Sequence, residues 1–195
     1  TRIIPLVIEE EKMTKAKEAA MAATGNKPIL NLLPFKHKKV GIVTTGNEVF
    51  YGRIKDTFTP VIEGKMAEFD TEIIDHVTWN DDDTKVTASI VVCTGGMSVD
   101  PDDKTPLAIK NTGADIVSYG APVLPGAMFM LAYYQVTEGE NPRTVAIMGL
   151  PGCVMYAKRT IFDLVLPRVM ADDQVTAEEL AALGQGGLCR NCPVC

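Results

Sequence analysis

The residues from 91 to 106 join an apolar run to a loop whose side chains can do chemistry. Val91–Thr94 is typical of a buried strand, Gly95-Gly96 ends it, and a hydroxyl at Ser98 and carboxylates at Asp102 and Asp103 follow. In an open α/β sheet, ligands bind beyond the carboxyl ends of the strands, where loop amides and helix N-termini meet anions. Mg²⁺ usually takes one or two protein carboxylates together with water and phosphate oxygens. The pattern therefore predicts a loop that binds phosphate and Mg²⁺.

The carboxylates of this loop have a second interpretation. The segment from Asp100 to Thr105 comes just before Pro106, where a helix is expected to begin. Side-chain oxygens in that position accept hydrogen bonds from the free amides of the first helical turn. The sequence leaves both roles open, ligand binding and helix capping.

Two further loops share this style, because each follows an apolar run and combines glycine with polar side chains. They are Thr45–Glu48 and Gly149–Cys153. The carboxyl ends of parallel strands lie at one edge of a sheet, so the three loops are expected to line one crevice. Glycines in these loops would let a ligand approach the backbone, and amides at the following helix starts would meet its phosphate oxygens. The glycines concerned are Gly95, Gly96, Gly149 and Gly152.

The five cysteines divide into two isolated residues and a cluster at the end of the chain. Cys93 and Cys153 stand alone, whereas Cys189, Cys192 and Cys195 are spaced three apart. Thiols at that spacing in a tight turn can bind one Zn²⁺ or an Fe–S cluster. Three thiolates leave a tetrahedral site one ligand short. A fourth ligand from elsewhere and an oxidisable terminus without metal are therefore both open.

Composition and charge exclude several classes of function. The 195 residues carry a net charge of −6, which argues against binding a nucleic-acid backbone by bulk electrostatics. No uninterrupted apolar run approaches the roughly 20 residues that a membrane-spanning helix needs, and the N-terminus lacks the pattern of a secretory signal. We therefore expect a cytoplasmic protein without nucleic-acid or membrane partners.

The first part of the chain is expected to be separate from the main domain. Its first eight residues are β-rich, Glu9–Ala23 consists largely of strong helix formers, and Gly25-Asn26 is a stop signal. We interpret residues 1–34 as the end of an upstream module with a connector helix. Residues 35–171 would form an α/β domain, and residues 172–195 a C-terminal helix with a cysteine-rich tail.

Strands and helices alternate through the main domain, which indicates a doubly wound α/β fold with a mostly parallel sheet. The expected strands cover residues 39–44, 72–77, 91–94, 116–119, 128–134 and 144–148. Helices are expected over residues 56–69, from 84, from 106 to 111, from 152 to 170 and over 176–183.

One connection is too short for this scheme. Only seven residues separate Asp83 from the strand at Val91, whereas a parallel crossover with its helix needs about 10 to 12 residues. We favour a loss of residues between Ile90 and Val91 over an unusual connection.

The strand-end motifs of this chain resemble those of a known protein family. The loop Gly95–Pro106 resembles the signature loop of the molybdopterin-binding domain of molybdenum cofactor biosynthesis proteins. Thr44–Val49 is similar to that family's first strand-end loop, while Leu124–Gly126 and Gly149–Gly152 are similar to its third and fourth. The motifs occur in the family's order, and the resemblance extends over residues 38–170.

The resemblance implies a three-layer α/β/α domain that binds molybdopterin, a pterin dithiolene with a terminal phosphate, or its adenylylated form. Family members adenylylate molybdopterin with Mg-ATP or use the adenylylated form to insert molybdate. The resemblance implies Asp103 as the Mg²⁺ or catalytic carboxylate, in a homo-oligomer. The loop's own carboxylates, Asp102 and Asp103, are the expected Mg²⁺ ligands. It implies ligand contacts for Thr45, Gly46, Asn47, Glu48, Gly95, Gly96, Met97, Ser98, Pro125, Gly126, Gly149, Pro151 and Gly152.

Two departures from the family's pattern leave an enzyme and a binding module both open. Cys153 stands where members that insert molybdate usually have Asn, and Asp100 stands where they commonly have Gly. The first function is a transferase that acts on molybdopterin with Mg²⁺. The second is a non-catalytic pterin- or nucleotide-binding module that senses or delivers the cofactor. The Cys153 thiol itself is expected to be a core group, a ligand contact or a thiolate whose pKa is lowered by a helix N-terminus.

Overall fold

The computed structural model describes residues 7–28, 30–45, 55–78, 88–98, 103–137 and 142–185. The chain divides into two compact units between Pro34 and Phe35. None of the described helices is long and apolar enough to cross a membrane.

The first unit contains one helix, α1 (Glu10–Ala23), which confirms the helix predicted there. Its sequence is rich in Glu, Lys and Ala, and an exposed ion pair joins Lys15 to Glu11 one turn earlier at 2.6 Å. None of its residues is buried. Val7 and Ile8 are not part of a strand, and the rest of the β-rich start lies outside the described residues.

The second unit alternates strands and helices, and every strand predicted from the sequence is present with small differences at its ends. In chain order its elements are β1 (Lys38–Thr44), α2 (Phe58–Met66), β2 (Thr71–Thr78), β3 (Ile90–Thr94), α3 (Thr105–Asn111), β4 (Asp115–Tyr119), β5 (Met130–Val136), β6 (Arg143–Leu150), a 3₁₀ helix (Gly152–Met155), α4 (Phe162–Met170) and α5 (Ala177–Ala182).

The strands form one mostly parallel sheet in the order β2-β1-β3-β6-β5-β4. The pairs β1–β2, β1–β3 and β3–β6 are parallel, whereas β5 runs antiparallel to both of its neighbours, β4 and β6. The predicted α/β fold with a mostly parallel sheet is confirmed. Strands β1, β3 and β6 therefore end side by side at one edge of the sheet.

Side chains that alternate along the strands build a core on each face. Val92 and Met148 point into the larger core with residues of α2 and α4, such as Ile62. Their neighbours Cys93 and Ile147 lie in a second core with residues of α3. Helices therefore cover both faces of the sheet, as the three-layer α/β/α prediction requires.

One helix predicted to run from residue 152 to 170 is divided into two. After the 3₁₀ helix, the Asp163 carboxylate accepts hydrogen bonds from the amide and hydroxyl of Thr160 at 2.7 and 3.3 Å. The same carboxylate binds Lys65 of α2 at 2.7 Å and Arg159 at 3.2 Å. This cluster stabilises a new helix start at α4, because the Asp163 carboxylate satisfies the Thr160 amide just before that helix.

The connection before β3 is longer when it is counted from the end of β2 rather than from Asp83. Ile90 and Val91 are consecutive members of β3 and pair in register with Ala146 and Ile147. The crossover from β2 therefore has residues 79–89 available, close to the length of about 10 to 12 that a helical crossover needs. Most of that segment, with the helix expected from Thr84, lies outside the described residues.

The C-terminal helix α5 begins as its sequence predicts. The Thr176 hydroxyl accepts a hydrogen bond from the Glu179 amide, and the Glu179 carboxylate accepts one from the Thr176 amide. This reciprocal arrangement is a capping box, which satisfies two amides at the helix start.

Candidate functional site

Three loops begin at the edge of the sheet where β1, β3 and β6 end. Thr44 pairs with Thr94, and Thr94 pairs with Leu150, so the last residues of the three strands stand in one row. The segments that follow them begin at Thr45, Gly95 and Pro151. The expectation that these loops share one edge is therefore met by the register of the sheet.

Hydroxyl groups tie the first loop to the second. The Thr45 amide donates to the Thr94 carbonyl at 2.7 Å, and the Thr45 hydroxyl lies 3.0 Å from the same oxygen. The Thr45 and Thr105 hydroxyl oxygens are 2.5 Å apart, and Thr105 is buried. Thr105, the first residue of α3, therefore joins α3 to the ends of β1 and β3.

The glycines of the second loop are required by close contacts within the chain. Gly95 has φ = +140°, and a Cβ placed there would collide with the Thr45 side chain and carbonyl. A Cβ at Gly96 would collide with the Asp103 carboxylate. At Gly149 a Cβ would lie 2.6 Å from Cε of Met97. The groups that approach these three backbones are therefore the chain's own atoms, a different reason for glycine from the ligand approach expected from the sequence.

Gly152 differs from these glycines. It is exposed, and a Cβ added there would meet no atom within 4 Å. The half-buried Pro151 precedes it directly after β6. This end of the row is open for a bound molecule.

The Asp103 carboxylate closes the second loop on itself. Its Oδ2 accepts hydrogen bonds from the Ser98 amide at 2.6 Å and from the Ser98 hydroxyl at 2.7 Å. Lys104, the residue at the N-cap of α3, makes no side-chain capping hydrogen bond. Asp103 therefore acts here as a clasp that holds Ser98, which we call the Asp103–Ser98 clasp.

Tyr119, at the end of β4, is a site residue that the sequence analysis missed. Its phenol donates a hydrogen bond to the Ser98 carbonyl at 2.9 Å. The pKa of the phenol is raised above its usual value, first by its removal from water and second by the negative charge of Asp103. The sequence offered one signal for Tyr119, its position directly before Gly120 at the end of a predicted strand. That position is equally typical of an ordinary turn.

The remaining described candidates pack mainly against the protein. The Met97 side chain is buried in the second core, so only its backbone stays a candidate for ligand contact. The Pro125 carbonyl accepts a hydrogen bond from the Ile161 amide at 3.2 Å. Gly126 has φ = +115°, and a Cβ there would lie 2.6 Å from Cγ2 of Ile161. The Leu124–Gly126 loop is thereby fixed to the start of α4.

The thiols near the site are not activated. Burial raises the pKa of the Cys93 thiol to about 12. Burial also raises the pKa of Cys153, although that thiol is only partly covered. The interpretation of Cys153 as a thiolate with a lowered pKa is therefore wrong, because desolvation disfavours the charged form.

Several predicted site residues lie outside the described residues. They are Gly46, Asn47, Glu48, Asp100, Asp102, Cys189, Cys192 and Cys195. In the described ranges, no group of three or more His, Cys, Asp or Glu side chains is arranged to hold a metal ion.

A cavity of about 360 Å³ opens at the opposite edge of the sheet, away from these loops. Lys38 and Arg143, the first residues of β1 and β6, line it together with Tyr133 and Asp172. Lys38 and Asp172 form an ion pair with each other. The strand-end loops remain the better candidate site, because they combine exposed backbone with anion-binding donors.

Comparisons with known proteins agree with this architecture. The MoaB tungsten cofactor synthesizing protein of Pyrococcus furiosus has a similar structure, with a TM-score of 0.52 at 18% identity over 72% of this chain and 99% of that chain. A candidate molybdenum cofactor biosynthesis protein of Corynebacterium diphtheriae gives a TM-score of 0.48 at 17% identity, over 75% of this chain and 100% of that chain. The first likeness supports the fold. No curated protein sequence matches the chain.

A family model gives the assignment. The model described as "Probable molybdopterin binding domain" matches residues 41–171, which is more than half of the chain and includes all three strand-end loops. The chain therefore belongs to the molybdopterin-binding domain family of molybdenum cofactor biosynthesis proteins.

Proposed function

We propose that this chain binds molybdopterin or adenylyl-molybdopterin across the three strand-end loops, and that it acts in molybdopterin adenylylation or molybdate insertion. The observation that carries the proposal is the row Thr44, Thr94 and Leu150, from which the three loops start side by side. Family membership supplies the ligand class.

The terminal phosphate of the ligand would bind at residues 95–98. The Ser98 amide and hydroxyl already donate to an anionic oxygen, the Oδ2 of Asp103, so this pair of donors suits a phosphate oxygen. Thr45, which follows β1, is hydrogen-bonded to Thr94, the residue before this loop. The polar residues that follow it, Asn47 and Glu48 with Gly46, remain proposed ligand contacts.

The pterin end of the ligand would lie over Pro151 and Gly152. The open space next to Gly152 supports this orientation, since a flat ring can approach a backbone that carries no side chain. Pro125 and Gly126 would support the site from the Leu124–Gly126 loop, which packs against the start of α4.

Asp103, with Asp102 beside it, is the proposed holder of Mg²⁺. Carboxylate oxygens are the donors that Mg²⁺ prefers, and the Asp103 carboxylate lies next to the Ser98 donors proposed for phosphate. When bound, Mg²⁺ would neutralise charge on the phosphate oxygens. The chain's own contribution would be orientation, with Ser98 and Thr45 holding the phosphate in place while ATP supplies the nucleotide.

A non-catalytic module that binds the pterin or a nucleotide is the second candidate. The Asp103–Ser98 clasp favours it, because the carboxylate proposed for catalysis is already engaged in holding the loop. Cys153, in place of the Asn usual in members that insert molybdate, favours it as well.

Turnover by the purified chain separates the two candidates. An adenylylating enzyme would consume ATP when molybdopterin and Mg²⁺ are supplied, and an inserting enzyme would release AMP from adenylyl-molybdopterin when molybdate is supplied. In either case Asp103→Asn would abolish turnover while the ligand still bound. A binding module would bind adenylyl-molybdopterin without any turnover by the wild-type chain. Asp115→Asn, the same substitution at an exposed residue at the start of β4, is a control for the effect of substitution itself.

We also propose that the chain works as a homo-oligomer in the cytoplasm. Sedimentation of the purified full chain tests the first point, and a monomer at micromolar concentration would contradict it.

A further inference from the structure

A side chain from the edge of the sheet reaches the proposed phosphate loop. Tyr119 is the last residue of β4, and its phenol donates to the Ser98 carbonyl at 2.9 Å. Ser98 is also the residue whose amide and hydroxyl donate to Asp103. Ser98 is therefore bound from two sides. Tyr119 donates a hydrogen bond to its carbonyl, and Asp103 accepts hydrogen bonds from its amide and hydroxyl.

These two ties differ in what a bound phosphate would do to them. A phosphate accepts hydrogen bonds, so it competes with the Asp103 carboxylate for the Ser98 amide and hydroxyl. It does not compete for the Ser98 carbonyl, which is an acceptor itself. The hydrogen bond from Tyr119 is therefore a contact of Ser98 that can persist when a ligand replaces Asp103.

Tyr119 is anchored well enough to serve in this way. It pairs with Met130 in the β4–β5 ladder. Just after it, the Gly120 amide donates to the Phe129 carbonyl at 2.8 Å. This hydrogen bond joins the two ends of the connection between β4 and β5, which contains Leu124–Gly126. The phenol thus links the connection that carries Leu124–Gly126 to the loop that begins at Gly95.

We propose that Tyr119 is a positioning residue for phosphate recognition, which fixes the Ser98 carbonyl and thereby aims the Ser98 amide and hydroxyl at the phosphate of the ligand. Tyr119 acts through Ser98 and does not itself touch the ligand. The inference rests on the proposed function for its ligand, and it adds a residue that neither the sequence motifs nor the family resemblance indicated.

Tyr119→Phe tests the tie first without any ligand. The variant keeps the ring and removes the donor, and a typical net hydrogen bond corresponds to a change of about two- to tenfold in an equilibrium. We expect exchange of the Ser98 amide hydrogen, followed by NMR on the full chain, to become faster by that factor. Tyr134→Phe is the matched control, because Tyr134 lies on β5 and is 38% exposed, compared with 42% for Tyr119. Unchanged exchange in Tyr119→Phe would overturn the proposal.

Affinity measurements on the same proteins then separate positioning from general loosening. We expect Tyr119→Phe to bind molybdopterin and inorganic phosphate about two- to tenfold more weakly, with its affinity for dephosphorylated molybdopterin unchanged. Equal losses for the phosphorylated and dephosphorylated ligands, or no loss for either, would overturn the positioning role while the proposed function stands. Failure of the wild-type chain to bind any of the three would instead overturn the proposed function, and this inference with it.

Discussion

Two aspartates in this protein make the same hydrogen bonds in very different electrostatic surroundings. Asp103 accepts the amide and hydroxyl of Ser98, and Asp163 accepts the amide and hydroxyl of Thr160. Asp163 is also paired with Lys65 and Arg159, and its side chain is only 6% exposed. The half-buried Asp103 is held instead by the neutral groups of Ser98.

One arrangement of hydrogen bonds therefore serves two purposes in this protein. The charge of Asp163 is balanced by protein cations, so its cluster joins α2 to the start of α4. The charge of Asp103 lies beside the exposed Ser98, where a metal ion with a phosphate could bind it. We therefore regard the Asp163 cluster as structural and the Asp103–Ser98 clasp as part of the ligand site.

The largest expected effect comes from removing the structural aspartate. Asp163→Ala should lower the free energy of unfolding by about 3 kcal/mol, because it leaves the Lys65 ammonium buried without its partner. Asp103→Ala should cost about 1 kcal/mol, the value of ordinary hydrogen bonds. Urea denaturation of both variants measures the two changes, and equal losses would remove the distinction drawn between the clusters.

A repair variant sharpens the same comparison. Replacing both partners, with Lys65→Met and Asp163→Leu, should recover much of the lost stability, since the buried pair is then exchanged for apolar contacts. A double variant as unstable as Asp163→Ala would show that the hydrogen bonds to Thr160, rather than the charge pair, stabilise the junction.

Glycine substitutions compare the clasp with the open end of the site. Gly96→Ala should cost roughly 1 to 3 kcal/mol and displace the clasp, because its Cβ collides with the Asp103 side chain. Gly152→Ala enters open space and should change stability by less than about 0.5 kcal/mol. It should nevertheless weaken molybdopterin binding if the pterin lies there. Calorimetric titration and urea denaturation of both variants check these expectations. Binding of molybdopterin by Gly152→Ala as tight as by the wild type would contradict the proposed position of the pterin.

Acid tests the charge balance of Asp163. Burial raises its pKa, but the hydrogen bonds and charge of Lys65, the Thr160 amide and Arg159 outweigh this, so the pKa is lowered overall. A carboxyl with a lowered folded-state pKa contributes stability that is present above its unfolded value, about 3.9. That contribution is lost as the pH falls through the folded pKa. Asp163→Asn should therefore lose less stability than the wild type between pH 6 and pH 3 in urea denaturation, and an equal loss would contradict the assignment.

The smallest effect on the α/β domain is expected from the cysteine tail, whose soft thiolates contrast with the hard oxygens of the clasp. Removal of residues 189–195 should lower the zinc or iron content of the purified chain, because it removes three thiols at metal-binding spacing. The free energy of unfolding of the domain should stay unchanged. Equal zinc and iron content with and without these residues, measured by elemental analysis, would exclude the tail site.

The sequence predicted the strands and the loops that follow them, because β-branched runs such as Val91–Thr94 and glycine turns act locally. It did not predict how side chains are used once the loops meet. Thr105 is buried against Thr45, and Tyr119 reaches Ser98 from a distant strand. Such contacts depend on sheet order and register, which no local pattern encodes. For the same reason the division before α4 was missed, since it depends on Lys65 from another helix.

The most direct test of the account is a calorimetric titration of the full-length chain with molybdopterin in the presence of Mg²⁺. We expect saturable binding with one ligand per chain, competition by inorganic phosphate, and weaker binding when Ser98→Ala removes a phosphate donor. An absence of saturable binding, or binding that neither phosphate nor Ser98→Ala affects, would contradict the assignment of this loop as the phosphate site.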